Sequence, residues 1–339
     1  MRRVTITEVA KRANVSISTV SRVLNKNYPV SDEVKERVLQ AISELNYQPN
    51  AVARSLKKQK TNMIGVVVAD ISNPFFMQIA KGIESVVGPE KYNLIFCSTD
   101  ENPSKEHALL RLLSEKRVDG IILASCNTDS SYINQLAEKN FPIILIDRKV
   151  PNCSADVIVE DNFSSAYKLT KYLIQMGHKK IGIVNGLLKV SSGAERFAGY
   201  KKALEDDDIK LRDDYVLQGN FKRLDAYNAA RQLILNNKND LPTAIFAANN
   251  LMAEGIMVAL REFGLKIPED ISLVSFGDIS TPDLIDPRLT VISQNTFAIG
   301  QKAGETVLYR IQNGVESADF KEFIMVPEMS IGNSVKKIN

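Results

Sequence analysis

The chain has 339 residues, 44% of them apolar and 24% charged, a composition that fits about two domains with room for a small third unit. Collagen, disorder and disulfide-scaffold classes are excluded, no apolar run approaches the ~20 residues of a membrane span, and the amino terminus lacks the apolar stretch of a secretion signal. The net charge of +3 hides an asymmetry: residues 1–60 carry 12 Lys and Arg against 5 Asp and Glu, a balance of +7, and the rest of the chain is at −4, so only the head is suited to a polyanionic partner.

Thr5 is placed to cap a helix over about 6–13, with Glu8 three residues on completing a capping box. Asn14 stands where a tight turn asks for positive φ, which Asn tolerates. Ser16 is placed to cap a second helix over about 17–24. Ala10 is small where two helices cross, and Val9, Val15, Val20 and Val23 are spaced to fill the gap, the pattern of a DNA-reading helix-turn-helix. A third amphipathic helix from about Ser31 to Asn46 gathers Val34, Val38, Leu39, Ile42 and Leu45 on one face, which gives the three helices a core of their own. The second helix exposes Ile17, Ser18, Ser21 and Arg22. Arg22 can donate two bonds to a guanine edge, Ser18 can bond several bases and Ile17 can touch a thymine methyl. Thr19 and Ser21 suit phosphate oxygens.

Thr19-Val-Ser-Arg-Val-Leu-Asn25, followed by Leu45-Asn-Tyr-Gln-Pro-Asn-Ala-Val-Ala-Arg-Ser-Leu56, resembles the DNA-binding head of the LacI/GalR family of bacterial transcription regulators. The resemblance implies contacts to double-stranded operator DNA from Thr5, Ser16, Ile17, Ser18, Thr19, Ser21, Arg22 and Asn25. It also implies a short hinge helix over 50–57 whose Leu56 is levered between base pairs in the minor groove, with Asn50, Ala53, Arg54 and Lys57 beside it. Such a wedge costs unstacking energy that the extra contacts on bent DNA offset. Without the resemblance the stretch reads as a linker, mostly unfolded at this length; both readings hold if the helix forms only on DNA. The expected division is a helix-turn-helix domain over 1–48, a hinge helix and linker over 49–61, and an effector-binding and dimerisation domain over 62–339.

From Asn62 onward short apolar runs alternate with helical stretches. Strands are predicted over 63–69, 93–98, 119–124, 142–147, 180–185, 243–248 and 271–276; helices include 75–87, 104–116, 163–176, 194–207, 223–236 and 251–263. Alternating units with near-continuous apolar strands imply an α/β fold of parallel sheets covered on both faces, better arranged as two doubly wound lobes than one. The common nucleotide, hydrolase and zinc signatures are absent. Cys97, Cys126 and Cys153 show no CxxC spacing and fit a reducing, cytoplasmic setting. His107 and His178 leave little for a zinc site or a histidine-based triad, so no metal and no cofactor is expected.

Ala69-Asp-Ile-Ser-Asn-Pro-Phe-Phe76, Gly177-His-Lys-Lys-Ile-Gly182, Arg196-Phe-Ala-Gly-Tyr200 and Pro287-Arg-Leu-Thr290 resemble the same family's effector domain, which is similar to periplasmic sugar-binding proteins. The resemblance implies three crossings between lobes, near residues 162, 290 and 323. The N-lobe would then hold about 62–162 and 291–323, and the C-lobe about 163–290 and 324–339. A small-molecule effector is expected in the cleft at the carboxyl ends of the strands. Asn73 and Pro74 start a helix, yet Phe75 or Phe76 can also offer a flat wall to a sugar ring. Arg196 reads as a surface charge or, by resemblance, as a fork reaching into the cleft. Ser192, Phe221 and Asn249 match pocket positions, and Asp147 and Arg148 either pair with each other or meet ligand. Two departures stand out: Asn250 where the family commonly has aspartate, and Gly277-Asp278 where it has paired acids. Fewer carboxylates beside Arg196 reduce repulsion against an anion, which points to a sugar acid or sugar phosphate.

The leading reading is a ligand-controlled repressor, a homodimer because no leucine heptad of the kind that makes some relatives tetrameric follows the body. Some relatives answer to a phosphocarrier protein, and the residues speak neither for nor against such a corepressor here. A transport solute-binding protein has no use for a basic three-helix head. A sugar-metabolising enzyme lacks a visible nucleophile, and Asp213-Asp214 lies in an apparent loop.

Overall fold

A computed structural model describes residues 4–25, 29–47, 60–315 and 320–338. The chain forms two compact units, Met1–Thr61 and Asn62–Asn339.

In the first unit α1 spans Ile6–Ala13, α2 Ile17–Asn25 and α3 Asp32–Glu44. The capping box is present: Glu8 N donates to Thr5 Oγ1 (3.4 Å) and Thr5 N to Glu8 Oε2 (2.7 Å). Asn14 ends α1 in the left-handed region at φ 51°, its N–H closing onto Ala10 and Lys11 carbonyls. Val9, Ala10, Ala13, Val20, Val38 and Ala41 form the buried core, with Val15, Val23, Ile42 and Leu45 packed against it. Leu39 departs from the expected stripe and is 50% exposed. One residue beyond Val38, it is turned about 100° away from the 38/42/45 face.

The second unit begins with β1 (Met63–Val68), α4 (Pro74–Val87), β2 (Asn93–Ser98), α5 (Pro103–Glu115), β3 (Gly120–Leu123), α6 (Ser131–Glu138), β4 (Ile143–Ile146) and β5 (Asp156–Glu160). It continues with α7 (Asn162–Gln175), β6 (Ile181–Asn185), α8 (Ser191–Glu205), β7 (Val216–Gln218), α9 (Arg223–Asn236), β8 (Ala244–Ala247), α10 (Asn250–Glu262) and β9 (Ser272–Phe276). The last elements are β10 (Thr290–Ser293), α11 (Thr296–Asn313), β11 (Glu322–Met325) and β12 (Glu328–Ser330). One sheet runs β11-β5-β4-β3-β1-β2, the other β12-β10-β9-β8-β6-β7. All pairings are parallel except β10 with β12, an antiparallel edge. Helices cover both faces of each sheet, and the central strands β3, β4, β6, β8 and β9 are buried throughout. That is why their sequences read as unbroken apolar runs.

The sheets locate the crossings. β5 lies in the first sheet while α7, immediately after it, packs on α8 in the second lobe. The second crossing falls at Gln294 and Asn295, later than the expected 290, because β10 remains in the second sheet to Ser293 before α11 packs on α4. The third lies between β11 and β12, past Met325 rather than near 323. His178 is fully buried, its ring nitrogens 2.9 Å from Thr243 Oγ1 and 3.1 Å from Lys336 O, so it ties down the carboxy-terminal segment.

Candidate DNA interface and effector cleft

In the head unit, Ser16 just before α2, Ile17 and Ser18 in its first turn and Arg22 in its last turn are exposed, and Thr19, Ser21 and Asn25 are half-buried. Ser16 Oγ lies 2.7 Å from Ser18 Oγ and 2.8 Å from Thr19 Oγ1, and it accepts from Thr19 N at 3.1 Å. This gathers three hydroxyls at a helix amino terminus, where the helix dipole favours an anion such as a phosphate. Asn25 Nδ2 donates to the Ser21 carbonyl (2.8 Å) and hydroxyl (3.1 Å), which fixes Ser21 instead of leaving it to reach outward. Thr5 is exposed and already engaged in the α1 cap. Asn50, Ala53, Arg54, Leu56 and Lys57 lie outside the described residues.

In the body unit a cavity of about 260 Å³ opens between the lobes at the carboxyl ends of the strands. It is lined by Asn73, Phe75, Phe76, Asp147, Arg148, Ser192, Arg196, Phe221 and Asn249 from the expected set. Asn73 caps α4 through Phe75 N (3.1 Å), and the two phenylalanine rings meet edge to face at 5.0 Å. Asn249 caps α10 through Met252 N (2.8 Å) and donates to the Phe221 carbonyl (3.2 Å). That second bond holds a strained turn: Asn220 and Phe221 both have positive φ, 51° and 61°, unusual for an aromatic residue. The strain aims the Phe221 ring between Arg148 (5.3 Å) and Arg196 (6.0 Å).

The two arginines differ. Arg148 is neutralised by a bidentate pair with Glu101 (2.6 and 2.8 Å), with Asp147 3.2 Å from its Nε though not aligned as a hydrogen bond. Burial pushes the Asp147 carboxyl up despite Arg148 and Arg196 nearby. Arg196 is 4% exposed, and its Cζ lies over Phe276, 3.7 Å from the ring centre. Its Nε donates to Asn162 Oδ1 and its Nη1 to the Ala248 carbonyl, both 2.8 Å. Among the described residues it has no ion pair, and burial pulls its affinity for the proton down.

Two expected residues sit elsewhere. Asp278 bonds Ser293 Oγ (2.7 Å) and lines a smaller adjoining pocket of about 180 Å³. Gly277, at φ 99°, lines neither, because the side chain of Gln294 fills the space in front of it: a Cβ at 277 would lie 2.7 Å from Gln294 Oε1. The cavity also takes Asp70, Asp100, Glu101, Asn220, Lys222 and Gln294, none of which the sequence reading assigned to it. Each stands just past a strand, so the carboxyl-end rule would have flagged them. Asn250, read as a departure, faces Asn73 across the cleft and donates to its Oδ1 at 3.0 Å, joining the lobes through two neutral amides.

A helix-turn-helix unit and a two-lobed unit with a lined cleft, in one chain, define a DNA-binding transcription regulator. Residues 5–50 match the family described as bacterial regulatory proteins, lacI family, and residues 61–324 match periplasmic binding proteins and sugar binding domain of LacI family. The chain belongs to the LacI family. It is 38% identical over 337 residues to the HTH-type transcriptional repressor PurR of Vibrio vulnificus (strain CMCP6), covering 99% of both chains. It is 37% identical over 335 residues to that of Histophilus somni (strain 129Pt), covering 98% of this chain and 99% of the relative. Among solved structures it is similar to the lac repressor dimer bound to operator and the anti-inducer ONPF, with a TM-score of 0.84 and 27% identity over 99% of this chain and 100% of that one. A LacI family regulator from Enterococcus faecium with bound ribose gives a TM-score of 0.72 and 28% identity over 82% of this chain and 100% of that one. Among the described residues no helix is long and apolar enough to cross a membrane, and no group of three His, Cys, Asp or Glu is placed to hold a metal ion.

Proposed function

We propose that this chain is a homodimeric transcriptional repressor whose grip on a near-palindromic operator is set by a small carbohydrate-type effector in the interlobe cleft. The repressor sense follows the names of its relatives, and the dimer follows the lac repressor complex. Exposed Arg22, Ile17 and Ser18 read base edges in the major groove, while the Ser16 and Thr19 hydroxyls meet phosphate. Leu56 is the wedge at the operator centre.

The observation that carries the effector reading is Arg196. A buried guanidinium whose two hydrogen bonds go to neutral acceptors, with no ion pair among the described residues, is short of negative charge. Asp147, Glu160 and Glu195 act on it through space, but none is paired with it. A carboxylate or phosphate on the effector does, and the cavity is large enough for a monosaccharide derivative, with Phe75 and Phe221 as apolar walls. The class is therefore a sugar acid or sugar phosphate.

The test is a thermal-shift screen of full-length protein against D-ribose, D-glucose, D-gluconate, D-galacturonate and D-glucose 6-phosphate. A melting point raised by mass action for the acids or the phosphate, with loss of the rise in Arg196→Ala, is the expected result. A rise with the neutral sugars alone would overturn the anionic class.

A further inference from the structure

Two of the three lobe crossings meet at one side-chain contact. Glu160 ends β5 at the first crossing and is 4% exposed; Gln294 follows β10 at the second. Gln294 Nε2 donates to Glu160 Oε2. Glu160 Oε1 is buried and has no hydrogen-bond partner among the described residues. The first crossing continues into the cleft: Asn162 Nδ2 donates to the Glu160 carbonyl (3.1 Å), and Asn162 Oδ1 accepts from Arg196. The third crossing is attached beside it, with Asp161 N donating to the Met325 carbonyl (3.0 Å).

A buried carboxyl with one amide donor is poorly compensated as an anion. Of the charged groups facing it, Arg196 on α8 favours its ionisation and Asp147 after β4 opposes it. Around Glu195 on α8 stand Lys149 after β4 and Glu322 on β11, one cation against two carboxylates. Burial outweighs these charges and pushes the Glu160 carboxyl up to about 7. It therefore changes charge around neutral pH, where an ordinary glutamate does not.

Gln294 is also a wall of the effector cavity, and the other end of its amide, Oε1, lies beside Gly277. A primary amide has an acceptor at one end and a two-proton donor at the other. With Glu160 ionised, the NH2 is held by the carboxylate and the carbonyl end is left for a ligand. With Glu160 protonated, its O–H needs an acceptor, and half a turn of the amide supplies one while bringing the NH2 round to the ligand side.

We propose that Gln294 is a specificity-determining residue of the cleft whose presented group, carbonyl or NH2, is set by the proton on Glu160. An ionised Glu160 selects a ligand with a donor, such as a hydroxyl, at this point. A protonated Glu160 selects an acceptor, such as a carboxylate oxygen. The inference rests on the cleft being the effector site, and because the contact joins two crossings it places ligand recognition on the hinge between the lobes.

The test needs no effector. Full-length protein labelled with 13C in Glu side chains and 15N in Gln side chains is titrated by NMR, with Glu160→Gln identifying the carboxyl resonance and Gln294→Ala the amide. Glu160 is expected to titrate roughly two pH units above an ordinary glutamate, and the Gln294 NH2 resonances to move with the same midpoint. Exchange of that NH2 with water is expected to slow above the midpoint, against the base-catalysed trend, because ionised Glu160 then holds it. A Glu160 midpoint below about pH 5, the ordinary range, overturns the proposal, as does an NH2 signal blind to the titration.

Thermal melts give a second readout. A carboxyl whose pKa is raised on folding contributes stability that is lost as pH rises through its folded pKa. The wild-type melting temperature should therefore fall relative to Glu160→Gln between pH 5 and 8, and a constant difference counts against the proposal. If Glu160→Gln does not fold, Gln294→Ala serves alone: losing the donor should raise the Glu160 midpoint, and an unmoved midpoint overturns the proposal. A chain that passes these tests yet binds no compound faults the effector reading and not the switch, and the reverse pattern faults the switch alone.

Discussion

Arg22 and Arg196 show how one residue type serves two ends of the chain. Arg22 sits exposed on α2, where a guanidinium fork can read a base edge. Arg22→Ala should weaken operator binding by about 1–3 kcal/mol and relax preference at one base pair, as measured by anisotropy titrations on operators permuted at each position. Arg196 is the reverse case, buried with its Cζ over Phe276. Arg196→Ala should reduce effector affinity at least about tenfold, the worth of one hydrogen bond to a charged group, and leave binding to operator without effector unchanged. Retained effector response in that variant would refute its cleft role. Position by position, Asn73 could be placed from its own sequence because it opens a helix, while Ser192, Arg196 and Asn249 were placed by the family resemblance and lie in the cleft. Gln294 and Asn250 could not. What each touches, Glu160 and Gly277 for one and Asn73 for the other, depends on residues more than 100 positions away or on a second crossing.

Among the elements, those that carry their own signals were legible. The α1 capping box and the Asn14 turn are local chemistry, and the β2 and α9 bounds fall where the apolar pattern places them. β7, β11 and β12 are three or four residues long and half-exposed at sheet edges, so no apolar run marks them. α11 escaped for a different reason. Its face toward α4 sets small residues, Gly300, Ala303 and Gly304, beside the large buried Ile299, Val307 and Leu308, which breaks up the stripe. At Gly300 a Cβ would lie 2.0 Å from the Ile79 carbonyl, with Gly82 facing it from α4. Gly300→Ala should therefore cost about 1–3 kcal/mol by overpacking, read as a lowered urea midpoint with an unchanged slope. A midpoint equal to wild type would mean that the two helices can separate freely.

At the scale of the whole molecule, the two units are read as linked functions: DNA binding in the head, effector binding in the body. Their thermodynamic link is reciprocal, so an effector that changes operator affinity must have its own affinity changed by operator to the same degree. The sense of the change, release or enhancement, follows from which lobe arrangement the effector prefers. The neutral Asn73–Asn250 bridge and the Glu160–Gln294 contact are among the side-chain contacts between lobes that such a preference would work through. The most direct measurement is an anisotropy titration of full-length protein on a duplex selected from a random pool, repeated with each sugar and sugar acid of the screen. The expected result is salt-sensitive, sequence-selective binding whose dissociation constant moves by about fivefold or more with at least one compound. Failure to select any duplex, or a selected duplex held equally tightly with every compound present or absent, would contradict it.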